Sequence, residues 1–501
     1  MESAFCLSFG MLYCYRKGER KMETLYQKLR NIQNTTEYAF HMPGHKRVME
    51  DDIFQQILKM DITEIEGFDN LHHPEGIIKK EQEFAAELYN TQSTFFLVNG
   101  STCGVLSAIC AVTRNKERFV MARNSHKSAY NAVYLKELQP IYVYPQTTRE
   151  KSYIQGSISP EDVAMQMDKS QAKIVFLTSP TYEGVISDIH AIAQEVHKRN
   201  GILIVDEAHG AHLGFHPGFP KSAVTEGADI VVQSMHKTLP TMTQTALLHI
   251  CSDRVSYREI ARQLSIFQTS SPSYVFMASM SQCLHFLQEK GKEYFDNYKK
   301  RLTDFYNSVK QLKNLQVLVP EDAKSLFKSE IDPSKISIIV ENCMDIQGCP
   351  YTGKDLAKDL LETYQLQMEM VSEFYVLAMT SICDTQEGFD RLVDALFKID
   401  ARLTRNDKSV EWRAGELLKA EAVMTLKAAL EAEKTSLEWE QCVSEISGEY
   451  IYLYPPGSPI ITPGEKITKE IYEKIERCKS LGLNVQGPED YSLSHLKIVR
   501  K

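Results

Sequence analysis

Six short apolar runs, each ending in polar or glycine residues, dominate the middle of the chain. They are TFFLVNG, RFVMARN, IYVYP, KIVFLTSPT, GILIVDEAHG and DIVVQSMHK, beginning near residue 94 and ending at residue 237. Helical segments such as GVLSAICAVT and AIAQEVHKRN separate them. A strand buried on both faces reads as a continuous apolar run, and strands alternating with helices build a mostly parallel sheet covered on both sides. The expected fold is therefore α/β. Open sheets of this kind bind ligands beyond the C-terminal ends of their strands, which is where the polar residues gather here.

With 501 residues the chain is long enough for several domains. Residues 1–60 read as an N-terminal extension and helical segment, and 61–300 as the large domain that carries the sheet. Residues 301–405 mix helices with strands such as QVLVP and KISIIVEN, a smaller α+β domain. The charged stretch RLTRNDKSVEW reads as a linker to a C-terminal domain, 413–501, with helices around 413–445 and the proline-rich turns of YLYPPGSPIITPGE. At the start, SAFCLSFGMLYCY carries its basic cluster, RKGERK, on the wrong side for a secretory signal. It also falls short of the roughly 20 apolar residues that span a membrane. Residues 1–21 are read as an upstream extension, with Met22 opening the amphipathic helix METLYQKLRNI. A net charge of -9 argues against a general nucleic-acid binder. The 11 cysteines form no CxxC pair, which favours a reducing, cytoplasmic setting over a disulfide framework.

Four strand ends carry candidate chemistry. In VNGSTCG a strand runs into an apolar helix, so Ser101 and Thr102 sit among free N–H groups, an anion site that is also what an ordinary N-cap looks like. In IVDEAHGAH, Asp206 follows Ile204 and Val205 directly, and a carboxylate buried there needs a positive partner. NSHKS presents His126, and QSMHKTLP presents Ser234, His236 and Lys237. A metal reading of His209 and His212 lacks the HExxH spacing and leaves Lys237 unexplained. Pyridoxal phosphate uses all of these parts: a lysine for a Schiff base, an acid beside the ring nitrogen, a flat side chain over the ring and an anion site for the phosphate. Asp206 and Lys237 are separated by one strand–helix–strand step, so both can face one ring.

The chain resembles the Orn/Lys/Arg decarboxylase family of fold-type I pyridoxal-phosphate enzymes. The resemblance is carried in order by FHMPGHK (residues 40–46), DITEIEGFDNLHHPEG (61–76), FFLVNGSTCG, ARNSHKSAYNA, TSPTYEG, VDEAHGAH, SMHKTLP with TQTALLH, QTSSPSY (268–274) and YPPGSPIITPGE. It implies Lys237 as the Schiff-base lysine and Asp206 as partner of the ring nitrogen. It implies His126 as the stacked histidine, His209 as a histidine on the substrate side, and Ser101, Thr102, Ser234 and His236 as phosphate ligands. It further implies a homodimer in which Thr269 or Ser270 reaches the neighbouring cofactor, and a short form without the wing domain of the large acid-induced members. Cys103 and Ser458 depart from the residues expected at those positions. The activity implied is decarboxylation of arginine, lysine or ornithine, with Asp69, Glu183 and Glu465 as candidates to receive the distal cation. Another pyridoxal reaction, such as transamination or β-elimination, and a non-catalytic paralogue are the rival readings, because fold does not fix function.

Overall fold

Every one of the six apolar runs is a strand, and all lie in one seven-stranded sheet. The strands are β1 (Ser93–Leu97), β2 (Arg118–Ala122), β3 (Gln139–Val143), β4 (Ile174–Thr178), β5 (Ile202–Asp206), β6 (Ile230–Gln233) and β7 (Ala246–Ile250). The last was read from the sequence only as part of a motif. The order is β1-β7-β6-β5-β4-β2-β3. Strands β6, β5, β4, β2 and β3 are mutually parallel, and β7 runs antiparallel to both of its neighbours. The computed structural model describes residues 38–40, 62–64, 68–148, 151–406, 417–455 and 457–500. Residues 1–21, the helix opened by Met22, FHMPGHK beyond Phe40, and residues 407–412 of the linker lie outside the described residues.

Two apolar layers hold the sheet, because successive strand residues point to opposite faces. On one face Val120, Val175, Leu203 and Val205 meet Val163, Met167, Ile192 and Val196. On the other, Phe119, Phe176, Ile204 and Val232 meet residues of α2 (Gly100–Val112) and α3 (Lys127–Lys136), among them Val105, Ala108, Ile109 and Val133. Each such side chain contributes about 1.5–3 kcal/mol of burial energy. That rigid slab fixes the strand ends. Thr178 pairs with Asp206 and Asp206 with Val232 across neighbouring strands, so the turn that follows β6 starts beside Asp206.

Residues 38–501 form one compact unit. A 36-residue helix, α4 (Tyr274–Val309), runs through residue 300 and leads into a four-stranded antiparallel sheet. Its strands are Met370–Val371, Tyr375–Met379, Lys335–Ile339 and Gln316–Val317. The C-terminal part differs from the helical expectation. Within the described residues of 413–445 there is one short helix, Leu426–Glu431, then a strand, Lys434–Glu438, and a single 3-10 turn. KTSLE is drawn into a strand because it pairs along its length with the C-terminal strand His495–Val499. Tertiary pairing here overrides the helix propensity of the surrounding Glu- and Ala-rich sequence.

Candidate active site

The C-terminal ends of β2, β4, β5 and β6 converge with the N-terminus of α2 at one sheet edge. Lys237 sits in a single helical turn, Met235–Thr238, immediately after β6. Its Nζ lies 3.1 Å from Nε2 of His209, on the loop after β5. Burial pushes the Lys237 amine below its ordinary range, against the opposing pull of Asp206 and Glu369. Burial in turn lifts the Asp206 carboxyl, while Lys237 and the N–H of Ala208 pull it down. The Ala208 N–H donates to Asp206 Oδ1 at 3.1 Å. His209 is held well below its usual pKa by burial first and then by the charges of Lys237 and Lys335. A neutral imidazole beside a weakened amine is a pair that can exchange one proton.

His126 caps α3. Its Nδ1 accepts from the Ser128 N–H at 3.3 Å and lies 2.9 Å from the Ser128 hydroxyl. Burial, then Lys237 and Lys127, drives its pKa down to about 3, so the ring is neutral at physiological pH. His236 Nδ1 lies 2.9 Å from the Thr245 carbonyl, and burial lowers its pKa to about 4 despite that bond. Ser101 is half-buried and Thr102 exposed in the first turn of α2, where Asn99 takes the capping position. Gly100 has a φ of 72° and open space where a side chain would begin. A backbone in this left-handed region favours glycine. Thr269 is on the rim, its N–H donating to Asn99 Oδ1 at 3.0 Å and its carbonyl 2.7 Å from His72 Nε2. The sequence-predicted residues thus share one edge, with Thr269 and Ser270 at its exposed margin.

The residues present fit pyridoxal phosphate. Ser234 is fully buried and its hydroxyl has no hydrogen-bond partner, a costly state for an isolated polar atom. Nδ1 of His209 is likewise buried without a partner. With the open cradle at Gly100, the buried carboxylate of Asp206 and the amine of Lys237, the donors and acceptors match a flat ring that bears a phosphate.

Of the three acids considered for a distal cation, two are committed elsewhere. Asp69 accepts N–H groups from Asn70, Glu75, Gly76, Ile78 and Lys79, fastening the start of α1 (Ile77–Tyr89). Glu465 is buried against Arg123, Oε2 to Nη2 3.1 Å. Glu183 is buried and accepts the Tyr375 hydroxyl at 2.7 Å, and burial raises its pKa. The sequence reading missed Glu369. Its charge acts on Lys237, and its Oε1 accepts the Tyr182 hydroxyl at 2.5 Å. The Tyr182 ring packs on His209 with centroids 4.6 Å apart. Glu369 lies near position 237 only through the fold, more than a hundred residues on; its one local signal is an acid within the apolar stretch LQMEMV.

Comparison with known proteins agrees with this geometry. The family profile "Orn/Lys/Arg decarboxylase, major domain" matches residues 23–387. Arginine decarboxylase of Bacillus subtilis is 30% identical over 486 residues, covering 95% of this chain and 98% of that protein. The lysine decarboxylase structure of Francisella novicida superposes with a TM-score of 0.75 at 20% identity, over 96% of this chain and 81% of the other. A more distant SPT structure holding PLP has a TM-score of 0.54 at 12% identity, over 73% of this chain and 87% of the other. The seven-stranded sheet is thus the fold-type I sheet of pyridoxal-phosphate enzymes, and the chain belongs to the Orn/Lys/Arg decarboxylase family of amino-acid carboxy-lyases.

Proposed function

We propose that this protein removes the α-carboxylate of a basic L-amino acid, arginine first and lysine or ornithine next, with pyridoxal phosphate as cofactor. The observation that carries the reading is the buried Lys237 amine, lowered in pKa, within 3.1 Å of His209 and under the charge of Asp206. Pyridoxal phosphate, when bound, supplies a sink for the electron pair that the departing carbon dioxide leaves on Cα. Lys237, its amine lowered in pKa by burial, would carry the cofactor. Asp206 keeps a proton on the ring nitrogen. Ser101, Thr102, Ser234 and His236 would hold the phosphate, and His126 would face the ring. After the carboxylate leaves, Lys237 or His209 returns a proton to Cα. Glu369, braced by Tyr182, receives the distal guanidinium or ammonium of the substrate. Water excluded from this edge strengthens each of these interactions.

Arginine is favoured because the Bacillus subtilis relative carries that activity in its name. The enzyme works in the cytoplasm as a homodimer, with Thr269 or Ser270 reaching the neighbouring site. Cys103, Cys110, Cys251 and Cys283 are among the free cysteines of the described residues, in keeping with a reducing compartment. Among the described residues no helix is long and apolar enough to cross a membrane. The limits 61–300, 301–405 and 413–501 serve as the working domain division. Carboxyl-labelled arginine, lysine and ornithine, each supplied to the purified protein with pyridoxal phosphate, test the reading. Labelled carbon dioxide and the matching amine from one of them are expected. Release from none, with keto acid formed from amino donors, would move the protein to transamination.

A further inference from the structure

Residues 457–465, in the C-terminal part of the chain, wrap the strand end that bears His126. Arg123, just beyond β2, is fully buried. Its Nη1 donates to the Pro459 carbonyl at 2.8 Å and to the Tyr130 hydroxyl at 2.9 Å. Its Nη2 donates to the Ile460 carbonyl at 3.2 Å and to Glu465 Oε2 at 3.1 Å. The same Glu465 oxygen accepts the Thr462 N–H at 2.7 Å, closing the turn on itself. One residue past Arg123, the Asn124 carbonyl accepts the Ser458 hydroxyl at 2.7 Å. Gly457 then passes along the free edge of the His126 ring. A Cβ at Gly457 would lie 3.3 Å from Cδ2 and 3.6 Å from Nε2, and its φ of 84° is disfavoured for other residues.

His126 is therefore held on two edges. Ser128 fixes Nδ1 from its own helix, and Gly457 walls the Cδ2–Nε2 edge from a segment more than three hundred residues away. A buried arginine–glutamate pair adds little net stability over apolar packing, because both charges lose their water. It does define one arrangement, since a guanidinium whose two terminal nitrogens donate to two carbonyls, a hydroxyl and a carboxylate, with Nε alone left without a partner among the described residues, has few alternatives. We infer that Arg123, Glu465 and Gly457 are positioning residues, a latch by which the C-terminal segment sets the plane of the His126 ring. The inference rests on the proposed role of His126 against the cofactor ring.

Pyridoxal phosphate affinity, read by fluorescence titration, tests the coupling to His126. Gly457→Ala should raise the dissociation constant about three- to tenfold, the cost of forcing a side chain some 30° off its rotamer. In a His126→Ala background the same substitution should change it less than about twofold, because the ring it displaces is gone. An equal factor in both backgrounds, or no effect in either, overturns the inference. Glu465→Gln tests the latch without the cofactor. In the apo protein, hydrogen exchange of residues 123–130 and 457–465 should accelerate together while β5 is unchanged. No local acceleration, or acceleration throughout the chain, equally overturns it. Wild-type protein that binds no pyridoxal phosphate would sink the functional reading instead, and the exchange experiment would then decide the latch alone.

Discussion

Glu369→Gln separates recognition of the substrate's distal cation from the chemistry at Cα. The substitution keeps volume and keeps an oxygen for the Tyr182 hydroxyl, now 2.5 Å from Glu369 Oε1. It removes only the charge. A hydrogen bond to a charged group contributes about 1.5–3 kcal/mol. Glu369 is half-buried, so solvent screening puts the loss at the lower end of that range. The expected result is a fall of roughly tenfold in kcat/KM for the preferred basic substrate, on the scale of about 1.4 kcal/mol per tenfold. The assay compares that substrate with norleucine, which has a side chain of similar length and no distal charge. Activity on norleucine, already low, should hold or rise. A second readout follows from the Lys237 amine of the apo protein: Glu369 raises its pKa, so the variant should lower it further, read by titrating that free amine before the cofactor is added. Equal proportional losses for the basic and the neutral substrate would refute the assignment and make Glu369 a structural partner of Tyr182.

Four further outcomes are expected. Lys237→Ala should abolish the visible band of the bound coenzyme and nearly all turnover, while circular dichroism stays native. Asp206→Asn should keep the cofactor but lose about three or more powers of ten in rate, because a neutral partner no longer holds the ring proton; near-normal turnover would make Asp206 structural. Mixing inactive Lys237→Ala with an inactive Thr269 or Ser270 variant should restore activity in hybrid dimers, and a fully active monomer in sedimentation would contradict shared sites. Asp332→Asn should cost about 3–5 kcal/mol near neutral pH by removing the carboxylate that the buried Lys335 and His212 face. Burial alone would raise the Asp332 pKa, but His212, Lys335 and Ser334 hold it below its ordinary 3.8. That stability is present above the unfolded pKa and is lost progressively as pH falls from there through the depressed folded pKa, so urea midpoints of variant and wild type should converge only in strong acid.

The large sheet was legible because its evidence is local. Runs such as IVFLT and IVVQ can be buried on both faces only inside a parallel sheet, and the helices between them have the matching period. Strand β7 was harder, since ALLHI carries a histidine in its midst. That histidine is accommodated inside the protein, Nδ1 2.8 Å from the Thr94 hydroxyl and Nε2 3.1 Å from Gln233 Oε1. No sequence window contains those partners. The same holds for KTSLE, which becomes a strand only because HLKIV returns sixty residues later to pair with it.

The site divides along the same line. Lys237, Asp206, His126, His209 and Ser234 were legible as candidates because each stands at the polar end of an apolar strand, where the fold class already puts ligands. An acid beside a glycine or proline turn carries no such guarantee. Asp69 and Glu465 sit in distinctive motifs, yet each spends its oxygens on its own surroundings, five N–H groups in one case and a guanidinium in the other. Motifs of that kind mark whatever the fold cannot do without, and a carboxylate that fastens a turn is as indispensable as one that meets a substrate. Glu369 inverts the case, an unremarked acid at a bend between two short strands whose charge the tertiary fold delivers to Lys237. On the proposed reading the reacting end of the substrate would be met by residues at strand ends. Its distal end would be met by Glu369, at a bend beside the smaller sheet, where sequence pattern is least informative.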